Sequence, residues 1–390
     1  MAEVSRYRGE RLLYVVNEAY FFQTHRLHVA RAAQQAGFDV HIAAPGDHVW
    51  APKDFTLDLL RSEGFEIHQI PLSRRGLAPL AEVKTIISLY QLYKRLRPTL
   101  VHHLTVKPNV YGGPIARALK VPAMVSLITG LGQVFVERSL KAAALRAIVA
   151  AGYRSCGAHP NSQIVVQNQG DLQTLVDCGV DRRRIALVRG SGVDLEIFKP
   201  TPEPTDDRIV VFPARLIWEK GVKDFVAAAR EIKQDMSDVR FVLVGDTQPS
   251  NPRSVPETQL KEWIAENTIE WWGRRGNMPE VYAARNIVCL PSAYGEGVPK
   301  VLIEGAASQR ALVTSDIAGC REIVKDGVNG LLVPVGNPGA LAAALRSLLS
   351  QPGLRQQMGY RGREIAEEGF SVEKIVGQNL SIYASLMSSI

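Results

Sequence analysis

The stretch Tyr294-Gly-Glu-Gly-Val-Pro-Lys-Val-Leu-Ile-Glu304 places two carboxylates, a glycine-flanked turn and a helix start within eleven residues. Upstream, Asn286-Ile-Val-Cys-Leu-Pro-Ser292 is an apolar run ending in Pro and Ser, which predicts a buried strand followed by a turn. Downstream, Val301, Leu302 and Ala306 recur at helical spacing. Glu296 therefore falls in the turn, Gly297, Val298 and Pro299 at the helix mouth, and Glu304 on the helix. Backbone N–H groups at such a mouth lack intrahelical partners and, helped by the helix dipole, hold anionic or hydroxyl-rich ligands. A carboxylate accepts from paired hydroxyls, so two of them can grip two rings of a polyhydroxylated ligand. The competing reading makes Glu296 a solvated turn residue and Glu304 an ordinary glutamate favoured by the helix dipole.

A second charged pair lies upstream. Ile209-Val-Val-Phe-Pro213 reads as a strand, and Ala214-Arg-Leu-Ile-Trp-Glu-Lys-Gly221 leads from it into a helix from about Val222. Arg215 and Lys220 flank that turn, where their charges and the helix dipole can converge on a diphosphate. Solvated loop cations are the alternative.

The elements that must position these groups follow from the rest of the chain. At 390 residues and 46% apolar content, the chain suits two soluble α/β domains with substantial cores. Four cysteines without paired spacing argue against a disulfide scaffold or a cysteine metal site, and predict free, mostly buried thiols in a reducing compartment. The N-terminus shows no secretory pattern, and the longest uncharged run, Gly327 to Leu345, is broken by Pro334, Gly336 and Pro338, so the expected location is cytoplasmic.

Charge is uneven. Residues 1–200 hold 25 Lys and Arg against 16 Asp and Glu, whereas residues 201–390 hold 21 against 23. The basic half suits an anionic partner, either a phosphorylated substrate or the inner leaflet of a membrane; the alternative is charge that serves solubility. No nucleic-acid-binding pattern accompanies it.

Leu12 to Val16, a helix to about Gln35 closed by Gly37, and Val40 to Ala44 predict a βαβ unit. In an open parallel sheet the loops after the strands border the ligand crevice. Asn17 and Tyr20 fall after the first strand, Lys107 and Asn109 after Leu100-Val-His-His-Leu104, and Thr129 and Gly130 after Ala123 to Ile128. These six are candidates for holding an acceptor. Tyr20, Phe21 and Phe22, placed in a loop from Asn17 to His25, either plug the core or line that site. The turn Thr129-Gly-Leu-Gly132 lacks the G-x-G-x-x-G spacing of a dinucleotide site.

Two long helices are predicted here. Ala78 to Arg97 sets Val83, Ile86, Ile87, Tyr90 and Tyr93 on an apolar side opposite Lys84, Ser88, Gln91 and Arg95. Val134 to Tyr153, rich in apolar residues with Arg138, Lys141, Arg146 and Arg154 around them, is either a domain helix or an interfacial one that takes up lipid. Thr201-Pro-Glu-Pro-Thr-Asp-Asp207 reads as a linker, which sets the domain boundary near residue 200.

Taken together, the Glu296/Glu304 spacing, Arg215 and Lys220 with Gly221 next, and Gly192-Val-Asp…Phe198…Pro200 resemble glycosyltransferase family 4. Pro249, Asn251 and Pro252 after Phe241 to Gly245 narrow the resemblance to bacterial enzymes that add N-acetylgalactosamine or similar sugars to polyprenyl-diphosphate-linked glycans. The resemblance implies a GT-B fold of two Rossmann-like β/α/β domains facing across a cleft: residues 1–200 for the acceptor, 201–370 for the nucleotide-sugar, and 371–390 a helix returning to the first domain. It implies retaining transfer, probed by Glu296 at the donor sugar, Glu304 at the ribose, and Arg215 and Lys220 at the diphosphate. Gly297, Val298 and Pro299 would complete the donor site, with Arg274, Asn277 and Met278 in a loop over the base. The place where this family often carries a His is held by Thr129. No Asp-x-Asp occurs, so the expected chemistry uses no metal and no cofactor, the nucleotide-sugar being a substrate. The expected partners are that donor, a lipid-linked glycan acceptor and the inner membrane surface, with the protein peripheral on it. A nucleotide-sugar epimerase of the same fold and a Rossmann oxidoreductase are the rival classes.

Overall fold

A computed structural model describes residues 6–46, 51, 55–72, 78–131, 140–205, 207–249 and 251–390, excluding the side chains of residues 140 and 141. The chain divides into two compact units, Met1–Ser191 with Glu373–Ile390, and Gly192–Val372. The division falls just before Gly192, ahead of the Pro-rich stretch read as a linker.

Among the described residues, unit 1 is built on seven strands: β1 (Arg11–Val16), β2 (Asp39–Ala44), β3 (Glu66–Gln69), β4 (Leu100–Leu104), β5 (Ala123–Ile128), β6 (Ser162–Val166) and β7 (Ile185–Leu187). They form one parallel sheet in the order β3-β2-β1-β4-β5-β6-β7. Period-two alternation sends successive side chains to opposite faces. Leu12, Tyr14 and Val16 enter one core, which Ile375, Tyr383 and Leu386 of the terminal helix Val372–Met387 help to close, and Leu13 and Val15 enter the other. Both faces are thus covered, which explains near-continuous apolar strands. Tyr383 carries polar contacts into its core, its hydroxyl lying 3.0 Å from that of Tyr14 and 2.6 Å from His102 Nδ1.

Unit 2 has six parallel strands, β8 (Ile209–Pro213), β9 (Arg240–Val244), β10 (Glu270–Trp271), β11 (Ile287–Leu290), β12 (Ala311–Ser315) and β13 (Gly330–Val333), in the order β10-β9-β8-β11-β12-β13. One core runs through it, from Val210 and Phe212 on β8 to Leu345 and Met358 on the C-terminal helices.

Several expectations need correction. Asn17 to His25 is not a loop: Ala19–His25 is a helix, capped by the Glu18 carboxylate, which accepts from the Tyr20 N–H. Phe22 is buried against Tyr14 and Phe65, Tyr20 packs edge-on to Phe55, and Phe21 also packs against this core, so all three aromatics serve it. The helix Pro79–Leu96 buries Thr85, Leu89, Leu92 and Tyr93 and leaves Val83, Ile86, Ile87 and Tyr90 exposed, so most of the expected inward face points out. Thr85 is tolerated inside because its hydroxyl donates to Pro71 O or Ala81 O.

The stretch Val134 to Tyr153 is described only from Leu140, and the helix Leu140–Gly157 is a packed domain helix. A Cβ on Gly113 would lie 2.5 Å from Cys156 Sγ and one on Gly152 2.9 Å from Val110 Cγ2, so this helix and Val106–Ala118 approach at backbone distance. Arg138 and the Lys141 side chain lie outside the described residues. The stretch read as a linker is clamped onto unit 2: Glu203 pairs with Arg355 at 2.5 Å, both side chains under 10% exposed, and Arg310 donates to Thr201 O at 3.0 Å. Its prolines lower the entropy of a fixed segment instead of spacing two domains. All four cysteines are free, Cys156, Cys289 and Cys320 buried and Cys178 half-buried. Among the described residues no helix is long and apolar enough to cross a membrane.

Candidate functional site

In an open parallel sheet, ligands bind beyond the carboxyl ends of the strands where strand order reverses. In unit 2 that point lies between β8 and β11, which pair in parallel through Ile287↔Val210 and Val288↔Val211. The segment with Arg215 and Lys220 leaves β8 there, and the turn with Glu296 leaves β11.

The structure joins two of the sequence candidates directly. Lys220 Nζ donates to Glu296 Oε2 at 2.6 Å, with about a tenth of each side chain exposed. Ser292 Oγ donates to Glu296 Oε1 at 2.6 Å, so both carboxylate oxygens are fixed. Burial works against the charge on Lys220, but the Glu296 carboxylate and the Tyr294 phenol outweigh it, and the lysine pKa is raised even though Arg215 pulls the other way. The Tyr294 ring also faces the ammonium, its centroid 5.5 Å from Nζ. Lys220 is therefore a cation at neutral pH, and Arg215 stands within electrostatic reach of it.

Backbone contacts explain why these loops meet. Gly221 has φ +82° and a Cβ there would fall 1.9 Å from Pro291 O, so the turn after Lys220 lies against the end of β11. Ala293 N–H donates to Glu219 O at 2.8 Å. Behind the Glu296-Gly297 turn stands Gly319, whose Cβ would fall 1.5 Å from Gly297 O. Only hydrogen fits.

Gly297, Val298 and Pro299 are buried at the start of the helix Lys300–Ala307, with Pro299 as its N-cap. Glu304, about one turn in, is also buried; one oxygen accepts from the Tyr282 hydroxyl at 3.0 Å and the other is 3.7 Å from Lys300 Nζ. Burial raises its pKa, opposed by Lys300 and the Tyr282 bond. Glu296, in the turn before this helix, and Glu304, within it, thus flank its first turn, as two grips on an extended ligand would. Arg274 and Asn277 are exposed, and Met278 packs against the core. The Arg274 N–H donates to Asp246 Oδ1 at 3.0 Å, tying its loop to the turn after β9.

In unit 1 the strand order reverses between β1 and β4, and Asn17, Tyr20, Lys107 and Asn109 follow those two strands, with Thr129 and Gly130 after neighbouring β5. Their environments differ. Asn17, Thr129 and Gly130 are half-buried. Lys107 donates to Glu82 Oε1 at 2.6 Å. Asn109 is fully buried, its Nδ2 donating to Leu127 O at 2.8 Å, which makes it a brace between the helix Val106–Ala118 and β5 instead of a surface contact.

Sequence reasoning missed Ser292, Tyr282, Tyr294 and Gly319. Ser292 closes the upstream apolar run and Tyr294 opens the singled-out stretch, though neither was given a role, whereas Tyr282 and Gly319 reach the site only through tertiary packing.

Two family models cover most of the chain: "Glycosyl transferases group 1" matches residues 193–365 and "Glycosyl transferase 4-like" matches residues 11–158. A crystal structure of a glycosyltransferase from Rickettsia africae is similar to this chain with a TM-score of 0.78 at 19% identity, covering 98% of this chain and 99% of that one. The two parallel-sheet units are those of a GT-B fold. Among sequence relatives, N,N'-diacetylbacillosaminyl-diphospho-undecaprenol alpha-1,3-N-acetylgalactosaminyltransferase of Campylobacter jejuni is 25% identical over 88% of this chain and 92% of its own length. UDP-Gal:alpha-D-GlcNAc-diphosphoundecaprenol alpha-1,3-galactosyltransferase of Escherichia coli is 24% identical over 82% of this chain and 83% of its own. The chain belongs to the GT-B glycosyltransferases of family 4.

Proposed function

We propose that this glycosyltransferase moves a hexosamine-type sugar, with retention, from a UDP-sugar to a polyprenyl-diphosphate-linked glycan. The observation that carries the donor half is the Lys220–Glu296 ion pair beside Arg215 at the point where β8 and β11 diverge. Two cations and the first turn of the helix Lys300–Ala307 face one diphosphate, and their field offsets the charge that grows on the leaving group. Glu296, already oriented by Ser292, accepts from hydroxyls of the donor sugar, and Glu304, oriented by Tyr282, accepts from the ribose. The anomeric carbon passes through an oxocarbenium-like state. The nucleotide-sugar is a substrate and no cofactor is needed.

The acceptor is assigned to unit 1, from the residues that follow β1, β4 and β5. The printed activities of the Campylobacter and Escherichia relatives, both on undecaprenol diphosphate glycans, support that acceptor class, and the latter's UDP-galactose supports a UDP donor. Such an acceptor stays in the bilayer, so the enzyme works as a peripheral protein on the cytoplasmic face. The surface that supports this is the helix Pro79–Leu96, not the helix Leu140–Gly157, whose Val149, Tyr153 and Cys156 are spent on packing.

The test incubates the purified chain with radiolabelled UDP- and GDP-sugars and polyprenyl-diphosphate mono- or disaccharides. Transfer of a UDP-hexosamine onto the lipid is the expected result. Interconversion of the donor without an acceptor, or turnover that needs a nicotinamide, overturns the reading. With no Asp-x-Asp, EDTA should leave turnover per folded molecule unchanged. Activity lost on chelation and restored by Mg²⁺ or Mn²⁺, with the fold intact throughout, removes the metal-free step.

A further inference from the structure

Unit 1 carries a polar cluster that the transfer reaction does not use. Two acid-x-histidine pairs, Asp39-Val-His41 on β2 and Glu66-Ile-His68 on β3, lie on neighbouring parallel strands. Their register, His41↔Glu66 and Ala43↔His68, sets all four side chains on one face of the sheet. The same face buries Ala43, Leu13 and Val15 further along, so an apolar core borders the cluster.

The distances are those of ligands awaiting a cation. His41 Nδ1 lies 3.1 Å from His68 Nε2 and 3.3 Å from Glu66 Oε2, and one donor atom from each of the three falls within 4.8 Å of the others. Bonds of about 2.0–2.1 Å to a tetrahedral Zn²⁺ separate neighbouring ligand atoms by about 3.3 Å. The other nitrogen, His41 Nε2, lies 3.0 Å from Asp39 Oδ2. A proton held there by the carboxylate leaves the Nδ1 lone pair facing His68 and Glu66, which is how an outer carboxylate orients a metal-bound histidine.

We propose that His41, His68 and Glu66 form a binding site for a divalent transition metal of the zinc class, with Asp39 as the orienting carboxylate. Two imidazole nitrogens and one carboxylate select such ions over Mg²⁺ or Ca²⁺, which prefer all-oxygen sets. Asp39 and Glu66 neutralise its two charges. The Glu66 side chain is 67% exposed and gives the ion a way in, whereas His41 at 3% holds the site from inside. Asp39 and Glu66 begin their strands, and the candidate acceptor residues follow the opposite, carboxyl ends of β1, β4 and β5. The ion is therefore a structural clip. It fastens β3, a four-residue edge strand, to β2.

The experiment uses the full chain, free of any histidine tag and stripped with a chelator. Zn²⁺ is titrated against a chromophoric competitor, Co²⁺ absorption is recorded, and melting is followed with and without Zn²⁺. The expected result is one Zn²⁺ per chain, a Co²⁺ spectrum with nitrogen ligation, and a melting temperature raised by saturating Zn²⁺. His68→Ala should weaken binding at least 100-fold, and Asp39→Asn about 10- to 100-fold. Glu66→Gln, on an exposed side chain, serves as the second ligand variant if His68→Ala does not fold. A wild type that binds no Zn²⁺ below about 10 μM leaves the cluster a hydrogen-bonded histidine pair and overturns the proposal. Unchanged affinity in the folded ligand variants places the ion elsewhere and overturns it equally.

Discussion

Lys220 and Glu296 are joined so closely that neither can be altered alone without burying the charge of the other. Removing one partner of a buried pair costs about 3–5 kcal/mol of stability, apart from any role in the reaction. Arg215, half-buried, gives the cleaner test of the diphosphate assignment. Arg215→Ala and Lys220→Ala should each lose about 2–4 kcal/mol of transition-state stabilisation, a fall of at least tenfold in kcat/KM. The Lys220→Ala, Glu296→Ala double variant should lose less than the sum of the singles, because one pair is counted twice. Wild-type kcat/KM in folded Arg215→Ala would falsify the assignment. Gly319 supplies a second expectation: with Gly297 O only 1.5 Å from the position of a Cβ, Gly319→Ala must displace the Glu296 turn. Donor KM should rise at least tenfold, while Gly353→Ala, with open space around it, should behave as wild type. Equal kinetics in the two would show that the turn tolerates displacement. The charged members of the site were legible in the sequence because their types and spacing survive without a fold. Ser292 and Tyr282, the hydroxyls that orient the two glutamates, were not, since nothing in a sequence says which turn or helix faces them.

At the scale of elements, the strands and most helices could be read from apolar runs closed by Gly and Pro, and the misreadings have one cause. Periodicity shows that a helix has an apolar stripe but not whether the stripe meets a core. The helix Pro79–Leu96 carries two, and packing chose Leu89, Leu92 and Tyr93, with Thr85 satisfied by backbone carbonyls. The other stripe stays outside, with Leu80 87%, Val83 52%, Ile87 50% and Tyr90 41% exposed, and Lys84, Lys94 and Arg95 are exposed on the same helix. β3 went unseen for the converse reason, being four residues of mostly polar type whose pairing with β2 only the sheet reveals. Burying two large apolar side chains in a bilayer contributes about 3–6 kcal/mol, and each basic residue near an anionic surface about 1 kcal/mol. The chain should sediment with anionic vesicles and much less with neutral ones. Leu80→Glu with Ile87→Glu should reduce binding at least tenfold, while Arg146→Glu, on the helix Leu140–Gly157, should change it little. Binding that ignores the first pair and falls with the second would return the membrane contact to the helix Leu140–Gly157.

At the scale of the whole molecule, the basic excess of residues 1–200 belongs to unit 1, and so do the buried histidines from which a sensitivity to acid is expected. His102 and His103 sit side by side in the middle of β4, both fully buried, with His103 Nε2 2.6 Å from the Tyr93 hydroxyl. Burial above all, with neighbouring charges adding to it, lowers the pKa of His102 well below the ordinary value and that of His103 to about 3. A histidine with a lowered folded-state pKa binds fewer protons folded than unfolded, so its contribution is present above about pH 6.5 and is lost as pH falls towards the folded value. By pH 5, His103 alone withdraws about 2 kcal/mol. Asp171 opposes this. Burial raises its pKa to about 6, against bonds from Leu131 and Asn168, so its burial costs stability at neutral pH and that cost shrinks as pH falls through 6. Between pH 7 and 5 it returns about 1 kcal/mol, less than His103 removes, and His102, His68 and His159, all lowered, add to the loss. The net sign is destabilisation by mild acid. In metal-free buffer, the melting temperature should be lower at pH 5.0 than at pH 7.5, and His103→Gln should narrow that difference even if it lowers both values. A melting temperature that is flat or rising between pH 7.5 and 5.0 would mean that these rings are protonated inside the folded chain, or that Asp171 outweighs them.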